Sequence, residues 1–338
     1  MQEIKYLILG AGPCGLGAAY FFHEQGERDF LIVEKESVAG GLARTLTDEK
    51  GFLWDIGGHV QFSHYKKFDE AMNRAIPPDG WLHHKRNSAI WTKDRFISYP
   101  FQDHLHELPK SDRKWCLETL EKYRHRELPK NFDSWIFQTF GEGIAHLFML
   151  PYNFKVWAYP PRMLTSQWIK ERVSAPSFDE IKKQTEAPQD KSWGPNKTFQ
   201  FPQKGGTGAI WKSLADQVAK EHIRYETYAE SIDPKKKILT TSKGETFQYQ
   251  YLLTTIPLNL FLQKMDKSSS TLREKSKEFL FSSTHVVGLG LKGHPPPHIA
   301  DKTWMYFPES DSPFYRVTVF SNYSPHNVPG KEYFSLMT

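Results

Sequence analysis

The chain has 338 residues, enough at roughly 100–200 residues per domain for two or three domains with buried cores, which excludes a peptide hormone or a small zinc module. Its formal charge of +5 arises from 44 basic and 39 acidic residues with no basic block, too mild and dispersed for a nucleic-acid-binding surface. Its 2 cysteines, Cys14 and Cys116, exclude a disulfide framework and a cysteine-rich zinc site and point to a reducing compartment.

The N-terminal MQEIKYLILG has no basic region and too short an apolar run for a signal peptide. No stretch approaches the roughly 20 apolar residues of a membrane span. A cytoplasmic protein with no membrane and no nucleic-acid partner is expected. Its 14% aromatic content in a polar chain suggests a soluble enzyme with aromatic-lined clefts.

In chain order, IKYLIL (4–9) predicts a strand, GAGPCGLGAAYFFHEQG a turn and helix, and DFLIVE a second strand ending at Glu34. SDRKWCLETLEKYRHR and NFDSWIFQTFGEGIAHLFML read as amphipathic helices with Ser111 and Asp133 as expected N-caps. The polar stretch from Gln184 to Asn196 reads as a loop, and KGGTGAIWKSLADQVAKEH as a glycine turn leading into a helix. Short strands follow: IRYETYAESI, KILTTS, GETFQYQY, LLTTIP, HVVGLGLKG and FYRVTVFSNY. The lysines at 235–237 fit a solvated hairpin turn after Asp233-Pro234. The final KEYFSLMT alternates like a strand with no turn after it, so the chain is expected to stop short of its fold's end.

Gly10, Gly12 and Gly15 form GxGxxG between the predicted strand and helix. In such a turn the first glycine permits the tight bend, the second admits a pyrophosphate, and the third lets helix pack on strand. The helix start supplies unpaired amides for phosphates, and Glu34, about 20 residues on, would accept ribose hydroxyls. Gly40 and Gly41 follow, then GFLWDIGGHVQFSHY. Together these are similar to the two-glycine signature of the glutathione reductase and amine oxidase flavoproteins, which favours FAD over NAD.

The later motifs GGHVQFSHY (57–65), YPFQ (99–102), LFMLPYNFKVWA (147–158), KERVSAPS (170–177), WGPN (193–196), FPQKGGTGAIW (201–211) and TWMYFPESDSPFYRVTVFSNYSP (303–325) sharpen that likeness. Over essentially the whole chain the sequence resembles the eukaryotic-type UDP-galactopyranose mutases. The resemblance implies an isomerase that interconverts UDP-galactopyranose and UDP-galactofuranose for glycan synthesis. In that family the nucleophilic nitrogen of reduced FAD takes the sugar from UDP in a covalent adduct, with no net redox change. NADPH or NADH is the expected reductant, and the sequence leaves a homo-oligomer open.

By motif position the resemblance places Arg172 and Arg316 at the UDP-sugar, Arg316 on the diphosphate, where a planar guanidinium suits paired phosphate oxygens. Tyr99, Phe101 and Gln102 would hold the base, with Tyr99 and Phe101 on one face of a strand. Asn153 and Trp157, four apart on a helix, would touch the UDP portion. Asn196 and Trp304 are expected at the sugar and Tyr306 on the diphosphate. His59, after Gly57 and Gly58, would face the flavin and respond to its redox state, with His64 packed behind it. Gly205, Gly206 and Gly208 would let the backbone pass close to the flavin. Cys14 reads as a small space-filler, and no metal site is expected.

The expected fold class is α/β: a Rossmann-like FAD-binding domain (1–85 and 204–283), an inserted helical domain (103–190), and a mainly antiparallel substrate sheet (86–102, 191–203 and 284–338), with the cleft where the three meet. The family's further FAD and diphosphate contacts are expected beyond residue 338. Two alternatives stay open: an FAD-dependent oxidoreductase of the amine oxidase type, and an inactive UDP-sugar-binding fragment.

Overall fold

The computed structural model describes all residues except 123–127, 170–172, 190–193, 195 and 267–269. Arg172 therefore lies outside the described residues, as does part of the WGPN motif. The chain forms two compact units, Met1–Leu82 with Phe201–Phe281 and His83–Gln200 with Ser282–Thr338.

Among its described residues the first unit is built on a six-stranded sheet, in the order Ala229–Asp233, Ile238–Thr241, Thr246–Thr254, Gln2–Leu9, Phe30–Val33, Ile223–Arg224. Gln2–Leu9 runs parallel to both its neighbours, with Leu9 beside Thr254 and Val33. Its unbroken apolar run follows from burial on both faces, as parallel strands require. Ile8 packs with Leu16, Ala19, Trp211 and Leu214, beneath the Pro13–Glu24 and Gly208–Val218 helices. Leu7 and Leu9 point the other way, toward Ile232, Leu239 and Phe247.

Two strand expectations change. GETFQYQY and LLTTIP form one strand, Thr246–Thr254. IRYETYAESI divides into Ile223–Arg224 and Ala229–Asp233, at opposite edges of the sheet. Glu226 there has a φ of 51°, which breaks extended backbone, and Thr227 turns to donate its N–H to the Glu34 carbonyl. The lysine turn stands as expected: Asp233 Oδ1 accepts the amides of Lys235 and Lys236 at 3.0 and 2.9 Å, and the lysines are exposed.

The second unit also holds a six-stranded sheet among its described residues, in the order Gly288–Lys292, Tyr333–Met337, Arg316–Val319, Trp304–Tyr306, Ser88–Thr92, Arg95–Ser98. The pairing of Trp304–Tyr306 with Ser88–Thr92 is parallel and the other pairings are antiparallel. Ile90 and Ile97 from the sheet pack with Phe101, Cys116, Leu120, Phe140, Ile144 and Phe148 from the helical segment. Cys116 is fully buried, and that burial pushes its thiol up to about 12. It packs as a small hydrophobe beside Thr119, whose hydroxyl accepts the Gly143 amide at 3.0 Å.

The Phe132–Ile144 helix is capped by Asn131 rather than Asp133. Asn131 Oδ1 accepts the Ser134 amide at 2.9 Å and Ser134 Oγ answers the Asn131 amide at 3.1 Å. Asp133 instead sits in the first turn, where a negative charge suits the helix dipole. Ser111 lies inside Lys110–Lys122, which starts one residue earlier. Phe132–Ile144 kinks at Gly141, whose φ is 68°, and leads through a π-turn, Ala145–Met149, into Leu150–Trp157. Among the described residues no helix is long and apolar enough to cross a membrane.

Candidate functional site

In the first unit the glycine turn joins Gln2–Leu9 to Pro13–Glu24 as the spacing predicts. A Cβ on Gly15 would stand 2.0 Å from the Gly10 carbonyl oxygen, so only glycine lets the helix lie against the strand end. A Cβ on Gly12 would meet only the Gly41 Cα, at 3.8 Å, leaving an open cradle at the helix start. Among the described residues no side chain caps that helix, and an uncapped helix start is suited to binding phosphate through its backbone amides. Gly40 donates its amide to the Ala11 carbonyl at 2.9 Å, which brings the second glycine pair against the first turn.

Glu34 is buried, and its carboxylate accepts the Ala11 amide at 2.7 Å and the Glu36 amide at 2.8 Å. A carboxylate has about four lone-pair positions, so two remain for ribose hydroxyls. Sequence reasoning missed Arg44. Its guanidinium pairs with Glu36 at 2.8 Å, while its buried Nε lacks a partner among the described residues. An unspent buried donor beside a glycine cradle fits the pyrophosphate of a dinucleotide. Cys14 is an exposed free thiol on the same turn.

The loop that carries Gly57, Gly58 and His59 begins at Asp55, also missed in the sequence. Its buried carboxylate accepts Thr45 Oγ1 at 2.5 Å, Thr207 Oγ1 at 2.6 Å and the Thr207 amide at 3.2 Å. Burial raises its pKa to about 6, against the pull of the Thr207 and Thr45 hydrogen bonds. This knot ties the loop carrying Gly57, Gly58 and His59 to the turn carrying Gly205 and Gly206. Gly206 has a φ of 62°, and a Cβ there would fall 2.5 Å from Thr45 Oγ1 and 2.7 Å from Asp55 Oδ1, so both backbone and packing favour glycine. His59 is half-buried, and His64 is exposed.

In the second unit Tyr306 and Arg316 are cross-strand partners. Trp304 is buried against Phe199 and donates its Nε1–H to the Tyr306 hydroxyl at 2.7 Å. The Tyr306 ring lies 5.3 Å from Tyr99 and 5.1 Å from Tyr152. Arg316 is half-buried, and among the described residues its electrostatic neighbours are the phenols Tyr323, Tyr306, Tyr152 and Tyr315, with no carboxylate. Burial pushes the phenols of Tyr99, Tyr152 and Tyr306 above the ordinary 10.0, so they stay protonated and can donate to an anion. A guanidinium beside several phenols, with no acid next to it among the described residues, has the donors to bind an oxyanion.

Tyr99 is not on a strand with Phe101. Arg95–Ser98 ends before it, the Tyr99–Pro100 bond is cis, and Phe101–Asp103 forms a 3-10 turn. Phe101 is fully buried and stacks on Phe148 at 5.2 Å, in the core. Gln102 is buried with Nε2 donating to the Ser174 carbonyl at 2.6 Å, and its Oε1 has no partner among the described residues. Arg86, missed in the sequence, lies 4.9 Å over the Tyr99 ring and donates to Asn196 Oδ1 at 2.6 Å. It thereby joins two predicted site residues. Asn153 spends its amide on the Met149 carbonyl at 2.7 Å, and Trp157 meets Trp168 edge-on at 5.2 Å while partly exposed. Tyr152 lies within the PYNFKVW motif, beside the residue that helical spacing singles out.

The profile of the family described as flavin containing amine oxidoreductase matches residues 13–331. A solved structure of reduced UDP-galactopyranose mutase is 43% identical, with a TM-score of 0.94 over 99% of this chain and 73% of that one. Putrescine oxidase shares the fold at 11% identity, with a TM-score of 0.62 over 99% of this chain and 75% of that one. Over 58 residues the chain is 43% identical to ferredoxin–NADP reductase of Lactococcus lactis subsp. cremoris (strain MG1363), 17% of each. The chain thus matches about a sixth of the length of such curated relatives. With its glycine cradle and its arginine–phenol cluster, the chain belongs to the flavin-containing amine oxidoreductases and, within them, to the UDP-galactopyranose mutases.

Proposed function

We propose that this chain, holding reduced FAD, interconverts UDP-galactopyranose and UDP-galactofuranose and so supplies galactofuranose for glycan synthesis. The observation that carries this reading is Arg316, a cation among phenols with no acid beside it among the described residues, in a chain 43% identical to a UDP-galactopyranose mutase. The cradle around Gly10, Gly12 and Gly15, with Arg44, would hold the FAD pyrophosphate, and Glu34 its ribose. When bound, reduced flavin would supply nucleophilic chemistry for the isomerisation, with no net electron transfer to substrate.

The chain's own residues then bind, orient and stabilise. Arg316 clamps the diphosphate, and the Tyr306 hydroxyl donates to it, so charge growing on the departing UDP meets donors already in place. The Tyr99 face suits uracil, with the unspent Gln102 Oε1 ready to accept its ring N–H. Arg86 orients Asn196 toward the sugar, with Trp304 supporting Tyr306. Arg172 joins the UDP-sugar contacts by motif position, and His59, which follows Gly57 and Gly58 in the motif, senses the flavin's redox state. NADPH or NADH is the reductant that keeps the flavin competent, and the setting is the cytoplasm, where UDP-sugars are made.

Chromatography of UDP-galactofuranose incubated with the flavin-loaded protein, with and without dithionite, tests this. Conversion to UDP-galactopyranose only under reduction is expected. The family at large suggests an amine oxidase-type alternative, and peroxide formation without isomerisation would establish that instead.

A further inference from the structure

Lys155 stands between Asn153 and Trp157 on the Leu150–Trp157 helix. Its ammonium donates to the backbone carbonyls of Phe307 at 2.9 Å, Ser312 at 2.8 Å and Phe314 at 3.2 Å, and to that of Glu309. Ser312 Oγ is a further acceptor at 3.3 Å. An ammonium has three protons, so these oxygens saturate it, much as a carbonyl cage saturates a bound monovalent cation. Burial lowers the lysine's pKa below the ordinary 10.5, and the carboxylates of Asp311 and Glu309 oppose that shift.

All of these carbonyls belong to one loop, FPESDSPF, which joins Trp304–Tyr306 to Arg316–Val319. The loop is longer than the two to five residues that usually close a hairpin, so its own turn geometry does not define it. At its base the Phe307 amide bonds the Tyr315 carbonyl at 2.9 Å, and the Phe307 and Phe314 rings meet edge-on at 4.9 Å. At its flank the Glu309 carboxylate accepts Thr92 Oγ1 at 2.8 Å and the Lys93 amide at 3.0 Å. Lys155 fills the middle. The helix that carries it also carries Tyr152, whose ring meets Tyr306 at 5.1 Å and Tyr315 at 6.3 Å. One cation therefore joins the helical wall of the phenol cluster to the hairpin that presents Arg316.

We infer that Lys155 is a positioning residue for a nucleoside diphosphate: by gathering the 307–314 carbonyls it holds the Tyr306–Arg316 pair in register with Tyr152. The inference rests on the reading of Arg316 as the diphosphate clamp. Lys155 touches no substrate in this account. It acts through Arg316, and small misplacements of a clamp are costly.

Calorimetric titration of the flavin-loaded protein with UDP and with uridine separates the possibilities. Lys155→Met should weaken UDP binding by about tenfold or more, leave uridine binding within about twofold, and add nothing further when combined with Arg316→Ala. Lys155→Arg, which keeps the charge, should recover part of the loss. UDP affinity within about twofold of the parent, equal losses for UDP and uridine, or full additivity with Arg316→Ala would overturn the inference. Should Lys155→Met fail to retain flavin, Lys155→Gln is judged by the same pair of ligands. If Arg316→Ala alone binds UDP like the parent, the diphosphate reading falls and the role of Lys155 with it; if only the lysine variants fail, the functional reading stands.

Discussion

Replacing Arg316 by alanine removes a guanidinium whose neighbours among the described residues are phenols rather than acids, so none of those neighbours is left as a stranded carboxylate. Charge-assisted hydrogen bonds contribute about 1.5–3 kcal/mol each, so UDP should bind roughly 10- to 150-fold more weakly while the flavin is retained. Unchanged UDP affinity in a titration would remove Arg316 from the diphosphate. Asp55 makes a prediction about pH. Its folded pKa of about 6 exceeds the ordinary 3.8, so the native state holds the proton more tightly. Its contribution to stability is therefore present in full below about pH 4 and is lost as pH rises toward 6. At about 1.4 kcal/mol per pH unit across that window, the parent should lose about 3 kcal/mol relative to Asp55→Asn between pH 4 and pH 7. Denaturant melts of the two proteins across that range would show parallel curves if Asp55 titrates normally.

At the level of elements, the strand–turn–helix at the N-terminus makes the sharpest demand. In Gly15→Ala the added methyl meets the Gly10 carbonyl at 2.0 Å, so the helix must move off the strand. Loss of bound flavin absorbance, with a melting temperature several degrees lower, is expected; full flavin content would mean that the turn tolerates the shift. This unit is legible in the sequence because its signals are local: an apolar run buried on two faces, glycines at fixed spacing, and an acidic residue at the next strand's end. Other features are not local. Asn131 rather than Asp133 caps its helix because the chain enters the helix two residues before the acidic signal suggests. Tyr99 and Phe101 part company because a turn, not a strand, follows Ser98. The Arg86–Asn196 bond and the Lys155 cage join residues more than a hundred positions apart, which no periodicity encodes.

For the whole molecule, the family resemblance carries more than pattern does. The α/β class, the flavin and the mutase identity follow from motifs spread along the full chain, and the 43% identity to a mutase agrees with them. The motifs contain Tyr152, Tyr315 and Tyr323, but the sequence singles out only Tyr306 and Arg316, because the gathering of these phenols around the arginine is a property of the fold. The central claim is that reduced flavin serves as a nucleophile in an isomerisation and not as an electron donor to substrate. It is tested most directly by counting electrons. The flavin-loaded protein is reduced anaerobically with one equivalent of dithionite, given excess UDP-galactofuranose, and followed by flavin absorbance and chromatography together. The account predicts many turnovers to UDP-galactopyranose while the flavin stays bleached. Reoxidation of the flavin in step with each sugar consumed would contradict it.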